Sequence, residues 1–183
     1  MKKSMLVGPR VLLAFAAMTS VALVAPDAWA QEKQKYSFRQ PSDAVGKYMQ
    51  QLAVDVGDVP GHQVRVLELR TTYATEAPMY DGVKVKEGWL RALTDYTDGT
   101  GHITGYTVSM LENGDKIFGR FDGTTKTTVG TDGAKLTRTE SVTTLTGGTG
   151  KFRGIHGTLR GVGFTDFKQT SGATTEGEYW IEK

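Results

Sequence analysis

The sequence predicts an all-β protein, a single small antiparallel β-barrel of about eight strands. Three observations predict it. Beyond Gly61 the chain is rich in Thr, Val, Gly and aromatic residues and breaks at short intervals into runs bounded by Gly, Asp or Asn, the pattern of successive short strands. No apolar repeat with a 3.6-residue period is sustained over that stretch, so no long helix is expected. Gly105, Gly119, Gly157, Gly161 and Gly163 fall inside the strand-like runs. Glycine weakens a strand unless the sheet bends sharply or another group comes close. Short antiparallel strands can also split into a sandwich, but strong curvature favours the barrel.

The first 30 residues are expected to be removed. Lys2, Lys3 and Arg10 precede an apolar run from Val11 to Val24, and Ala28-Trp29-Ala30 then reads as a small-x-small cleavage site. The run falls short of the roughly 20 residues a membrane-spanning helix needs. A cut after Ala30 predicts a periplasmic or secreted protein with no membrane anchor. The 183-residue chain has 22 basic and 20 acidic residues, and loss of Lys2, Lys3, Arg10 and Asp27 balances the two. A neutral mature domain carries no electrostatic footprint for nucleic acid. With no cysteine, stability rests on packing and sheet hydrogen bonds, and thiolate chemistry is excluded.

Residues 31–61 read as a polar, extended N-terminal segment ahead of a barrel domain at 62–183. A weaker strand is placed at about 47–56 within that segment. The others are expected at about 62–73, 85–96, 102–112, 115–122, 134–145, 155–165 and 174–182. Asn113-Gly114 between two such runs predicts a hairpin over 102–122 with a type I′ turn. Asp98-Gly99, Asp132-Gly133 and Ser171-Gly172 have similar turn chemistry.

The run Gly147-Gly148-Thr149-Gly150-Lys151-Phe152-Arg153-Gly154-Ile155-His156-Gly157 stands apart. It is not a Walker loop, because Phe152 follows Lys151 where Ser or Thr is required, nor a dinucleotide fingerprint, because Arg153 takes the third glycine's place. A tight turn between strands is the better reading, with Gly147, Gly148, Gly150, Gly154 and Gly157 shaping the backbone and Phe152 plugging one end of the core. This stretch resembles the Gly-Gly-Thr-Gly-x-Phe-x-Gly-x-x-Gly element of the allene oxide cyclase and dirigent superfamily, eight-stranded barrels of calycin-like architecture. The resemblance extends over residues 62 to 182.

The resemblance implies chemistry by shape: an unstable substrate held in one conformation within a dry pocket, with no metal and no cofactor. It also implies a homo-oligomer, since dimers and trimers are common in that superfamily. Glu68 matches the superfamily's first-strand carboxylate and is the candidate catalytic acid, provided that it shares an inward face with Val64 and Val66. The opposite phase puts Leu67 and Leu69 inside and Glu68 outside in an ion pair, with Arg70 on its face. The superfamily's water-holding asparagines have no counterpart, because Asn113 is the only Asn. Trp89, Tyr106, Phe118, Tyr179 and Trp180 are the candidate cavity-lining residues, and Asp95 and Tyr96 lie where a barrel mouth would use them. The spacing of His62, His102 and His156 gives no support to a metal site.

The expected function is therefore binding of a small apolar or aromatic molecule within the barrel. The alternative is a cofactor-free isomerase or cyclase that templates its substrate. A third reading, an assembly protein, would use the Thr-rich stretches at 124–128 and 137–146 as an outer face.

Overall fold

A computed structural model describes residues 32–166 and 171–182; the expected export signal lies outside these residues. Ten strands run in chain order: β1 Gln34–Arg39, β2 Val45–Asp55, β3 His62–Thr72, β4 Met79–Tyr80, β5 Val83–Thr97, β6 Thr100–Leu111, β7 Lys116–Val129, β8 Lys135–Gly148, β9 Ile155–Thr165 and β10 Ser171–Ile181. A single 3₁₀ turn, Gly150–Phe152, is the one helical element among the described residues. All pairings are antiparallel, in the order β1-β10-β9-β8-β7-β6-β5-β3-β2, with β4 added on β5. The all-β expectation holds. The segment before residue 62 contributes the expected β2 and the unexpected β1 to the same sheet, and β1 and β4 are the two strands beyond the expected eight.

The hydrogen-bonded path does not close into a barrel, because β1 and β2 end it. Consecutive in sequence, these two strands do not form a hairpin. Pro41 has no N–H to donate, and the turn after it, closed by Ala44 N donating to the Pro41 carbonyl at 3.1 Å, links the sheet's two edges instead. The sheet nevertheless curves until β1 comes near β3, and Tyr36 and Phe38 of β1 line one hollow together with Thr71 of β3. Phe38 packs edge-on against Tyr73, centroids 5.8 Å apart, so side chains bridge the seam. At Gly105, opposite Ala92, an added Cβ would sit 2.1 Å from the Arg91 carbonyl oxygen. The β5 and β6 backbones approach there more closely than any other residue permits, which tightens the roll.

The turns sort by backbone angle. Asp98 and Gly99 both have positive φ, 51° and 76°, and join β5 to β6 in the two-residue type I′ geometry. The Asn113-Gly114 hairpin forms between β6 and β7, but not with the expected turn. Only Gly114 has positive φ, and the Gly114 N–H donates to Leu111 while the Leu111 N–H donates to Asp115. That is a three-residue loop with a glycine bulge. Asn113 stays on the negative side, where its side-chain oxygen accepts from the Asp115 N–H at 3.0 Å. Ser171-Gly172 is not a turn, because both residues pair with β9 at the start of β10.

The core divides along the strands. At one end Tyr36, Tyr80, Leu111, Ile117, Phe152 and Tyr179 belong to one buried cluster. Nearer the other end Leu67, Ala92 and Ile103 form a smaller one, with Leu69, Leu90 and Phe121 packed against it.

Candidate functional site

Leu67 and Ile103 of the smaller cluster lie at the floor of a hollow of about 390 Å³ on the inner face. Strand alternation builds it. Inner positions of β3, β5 and β6 supply Leu67, Leu90 and Ile103, and β7 adds Phe121. Toward the rim the same faces change character. Arg65 and Gln63 of β3, Thr94 and Tyr96 of β5, and a ladder of threonines on β7 and β8 take over.

The hydroxyls of that rim are organised. Tyr96 Oη lies 2.8 Å from Thr125 Oγ1, which lies 3.0 Å from Thr139 Oγ1. Three hydroxyls joined by two hydrogen bonds leave one O–H free to donate. Next to them Thr127 Oγ1 donates to the Gly99 carbonyl and receives the hydroxyl proton of Thr137 at 2.7 Å. Thr94 differs: it is 2 % exposed, and its Oγ1 has no hydrogen-bond partner among the described residues. Directly across the β3–β5 pair from Thr94 stands Arg65, whose Nη2 donates to the neutral Gln63 Oε1 at 3.3 Å. No carboxylate is among the described residues lining this hollow. Burial pushes the Tyr96 phenol above its usual range, so it remains a neutral donor.

A clasp holds the rim. His62, on β3, has Nδ1 2.6 Å from Asp58 Oδ1 and Nε2 2.7 Å from Asp95 Oδ1. Hydrogen bonding to Asp95 and then Asp58 raises its pKa, while the bond from His62 lowers that of Asp58. Both contacts are donated only by the imidazolium.

At the closed end, a second hollow of about 210 Å³ adjoins the first at Leu90 and is bordered by Tyr36, Tyr73 and Tyr80. Burial pushes Tyr36 and Tyr73 up to about 12, and Tyr80 well above its ordinary value. The glycine-rich run closes this end. Phe152 is fully buried. The Thr149 Oγ1 accepts from the Lys116 N–H, and the Lys151 N–H donates to Asp115. Gly150 has φ +51°, and a Cβ there would meet the Asp115 carboxylate at 2.0 Å.

Other side chains singled out from sequence lie elsewhere. Glu68 is on the outer face, its Oε2 2.6 Å from the Arg91 Nε; Leu67 and Leu69 hold the inner phase, and Arg70 pairs with Glu87 instead. Trp89 borders the second hollow, but its indole N–H donates to Glu87 and its ring lies beside Arg70 and Arg91. Tyr106 is 66 % exposed, and Phe118 alternates outward between Ile117 and Gly119 on β7. Tyr179 is core, its hydroxyl 2.5 Å from Gln34 Oε1. Trp180 stacks outside on His156. The Gly147, Gly154 and Gly157 backbones flank the buried Phe152 turn rather than the larger hollow. His102 faces Asp122 and His156 faces Glu182, each on the surface.

Sequence reasoning missed Arg65, Thr94 and the inner threonines. A signal was present: Thr125 and Thr127 lie two apart, as do Thr137 and Thr139, and two-apart spacing puts each pair on one face. Compared with known proteins, the chain matches no family model, no curated protein and no solved structure.

Proposed function

We propose that this chain is an exported binding protein for a small, largely apolar molecule, held in the hollow of a rolled, barrel-like sheet. One observation carries the reading: a hollow of about 390 Å³ with an aliphatic and aromatic floor and a few converging polar groups. Ligand sites are typically concave, mostly apolar and of this size. The signal-like N-terminus supports export, and the glycine-rich turn supports a relation to barrels of the allene oxide cyclase and dirigent kind. Templated cyclisation, the alternative function, loses its acid, since Glu68 is bound to Arg91 outside the hollow. The outer-face assembly reading is weakened in the same way, because Thr125, Thr127, Thr137 and Thr139 line the interior.

Native mass spectrometry of the protein purified from its own host tests the proposal. A bound organic mass is expected on the wild type and absent from Ile103→Trp, whose indole would occupy the floor. Wild-type protein that is empty, and stays empty when offered apolar aromatic compounds, would refute it.

A further inference from the structure

The rim of the larger hollow is one-sided. Among the described residues its polar groups donate: Arg65 carries a positive charge and bonds the neutral Gln63, Thr94 holds an O–H that none of them accepts, and the Tyr96–Thr125–Thr139 chain has one proton left over. No acidic side chain among the described residues lines the hollow to balance them. Elsewhere on the sheet Arg70, Arg91 and Arg138 each meet a glutamate, and Arg39, Arg120 and Arg160 are exposed to solvent; Arg65 is half-buried and borders the hollow. A buried hydroxyl without a partner costs stability, as does a partly buried guanidinium without a counter-charge. Both deficits sit on adjacent strands, at directly paired positions facing the same hollow. One acceptor group bearing a negative charge would relieve them together.

We infer that the ligand is an organic anion, its charged head seated between Arg65 and Thr94 and its apolar body lying on Leu67, Leu90, Ile103 and Phe121. The inference rests on the reading of the hollow as a binding site and adds the charge and orientation of the occupant. A carboxylate, sulfonate or phosphate monoester would present the required oxygens; the shared chemistry is a compact anionic head on a hydrocarbon or aromatic body.

Fluorescence titration with two probes of the same aromatic body tests it: anionic 1-anilinonaphthalene-8-sulfonate and uncharged N-phenyl-1-naphthylamine. In wild-type protein both are expected to bind. Arg65→Met should weaken the anionic probe by about tenfold, the scale of one charge-assisted hydrogen bond, and leave the uncharged probe unchanged. Arg65→Lys, which keeps the charge but not the fork of donors, should recover part of the loss. Equal binding of the anionic probe by wild type and Arg65→Met, with the uncharged probe still bound, would overturn the inference while leaving the hollow a binding site. Failure of both probes to bind wild type would remove the binding reading itself, and this inference with it.

Discussion

His62 sits between Asp58 and Asp95 with its side chain 19 % exposed, and the titrations of His62 and Asp58 have opposite linkage to pH. A raised histidine pKa stabilises the fold fully below the unfolded value of 6.5, and the contribution is lost as pH rises through the higher folded pKa. The lowered Asp58 pKa contributes above the unfolded value of 3.8 and is lost as pH falls through the lower folded one. The clasp is therefore complete between those unfolded values. Thermal unfolding of wild type and His62→Gln should differ most at about pH 5 and converge toward about pH 9. A difference that keeps growing above about pH 5 would contradict this assignment.

Thr94 yields the second prediction at this scale. Replacing its unpartnered hydroxyl by the isosteric methyl of Val removes a desolvation cost, so Thr94→Val should stabilise the empty protein by about 1 kcal/mol in urea denaturation. The same change removes a donor from the head site and should weaken binding of an anionic probe. A variant that is less stable and binds no differently would show that the hydroxyl is already satisfied. Neither Thr94 nor Arg65 was legible as a site residue. A threonine and an arginine within strands read as ordinary solvent-facing positions, and only the curvature of the sheet turns that face inward.

Among the elements, strand positions were readable and strand faces were not. β3 explains why. In Val64-Arg65-Val66-Leu67-Glu68-Leu69 both phases carry apolar residues, and the inner phase pairs Leu67 and Leu69 with the charged Arg65 because the hollow is polar at its rim. Alternation marks a face only where the interior is uniformly apolar. Val66 is 56 % exposed, an aliphatic residue on the outer face. The glycine-rich turn was legible because its demands are local. Phe152 is buried completely there, and Phe152→Ala should cost about 3–5 kcal/mol of stability by equilibrium urea unfolding. A loss below about 1 kcal/mol would mean that the end of the core collapses to fill the space.

β2 is the exposed element. All eleven of its residues are exposed, Leu52 and Val54 among them, and one side of its backbone is unpaired. An apolar open edge is a template for pairing with other chains. Leu52→Lys should slow aggregation on heating, followed by light scattering, with stability within about 0.5 kcal/mol of wild type. Unchanged aggregation would place the hazard elsewhere.

At the scale of the whole molecule, the all-β class was written in the chain, in its turn residues and its short Thr- and Val-rich runs. The open seam was not. It depends on β1 pairing with β10 across nearly the full length of the described chain, and on Pro41 denying β1 and β2 a hairpin. The larger hollow is bounded by β2, β3 and the strands from β5 to β9, apolar at depth and donor-rich at its rim, and the proposed binding rests on that enclosure. The most direct test is a high-resolution crystal structure of the protein purified from its native host. The account predicts ordered density in the hollow, with an apolar body over Leu67 and Ile103 and oxygen atoms within hydrogen-bond distance of Arg65 and Thr94. A hollow filled by its own side chains, or holding only water hydrogen-bonded to Thr94, would contradict it.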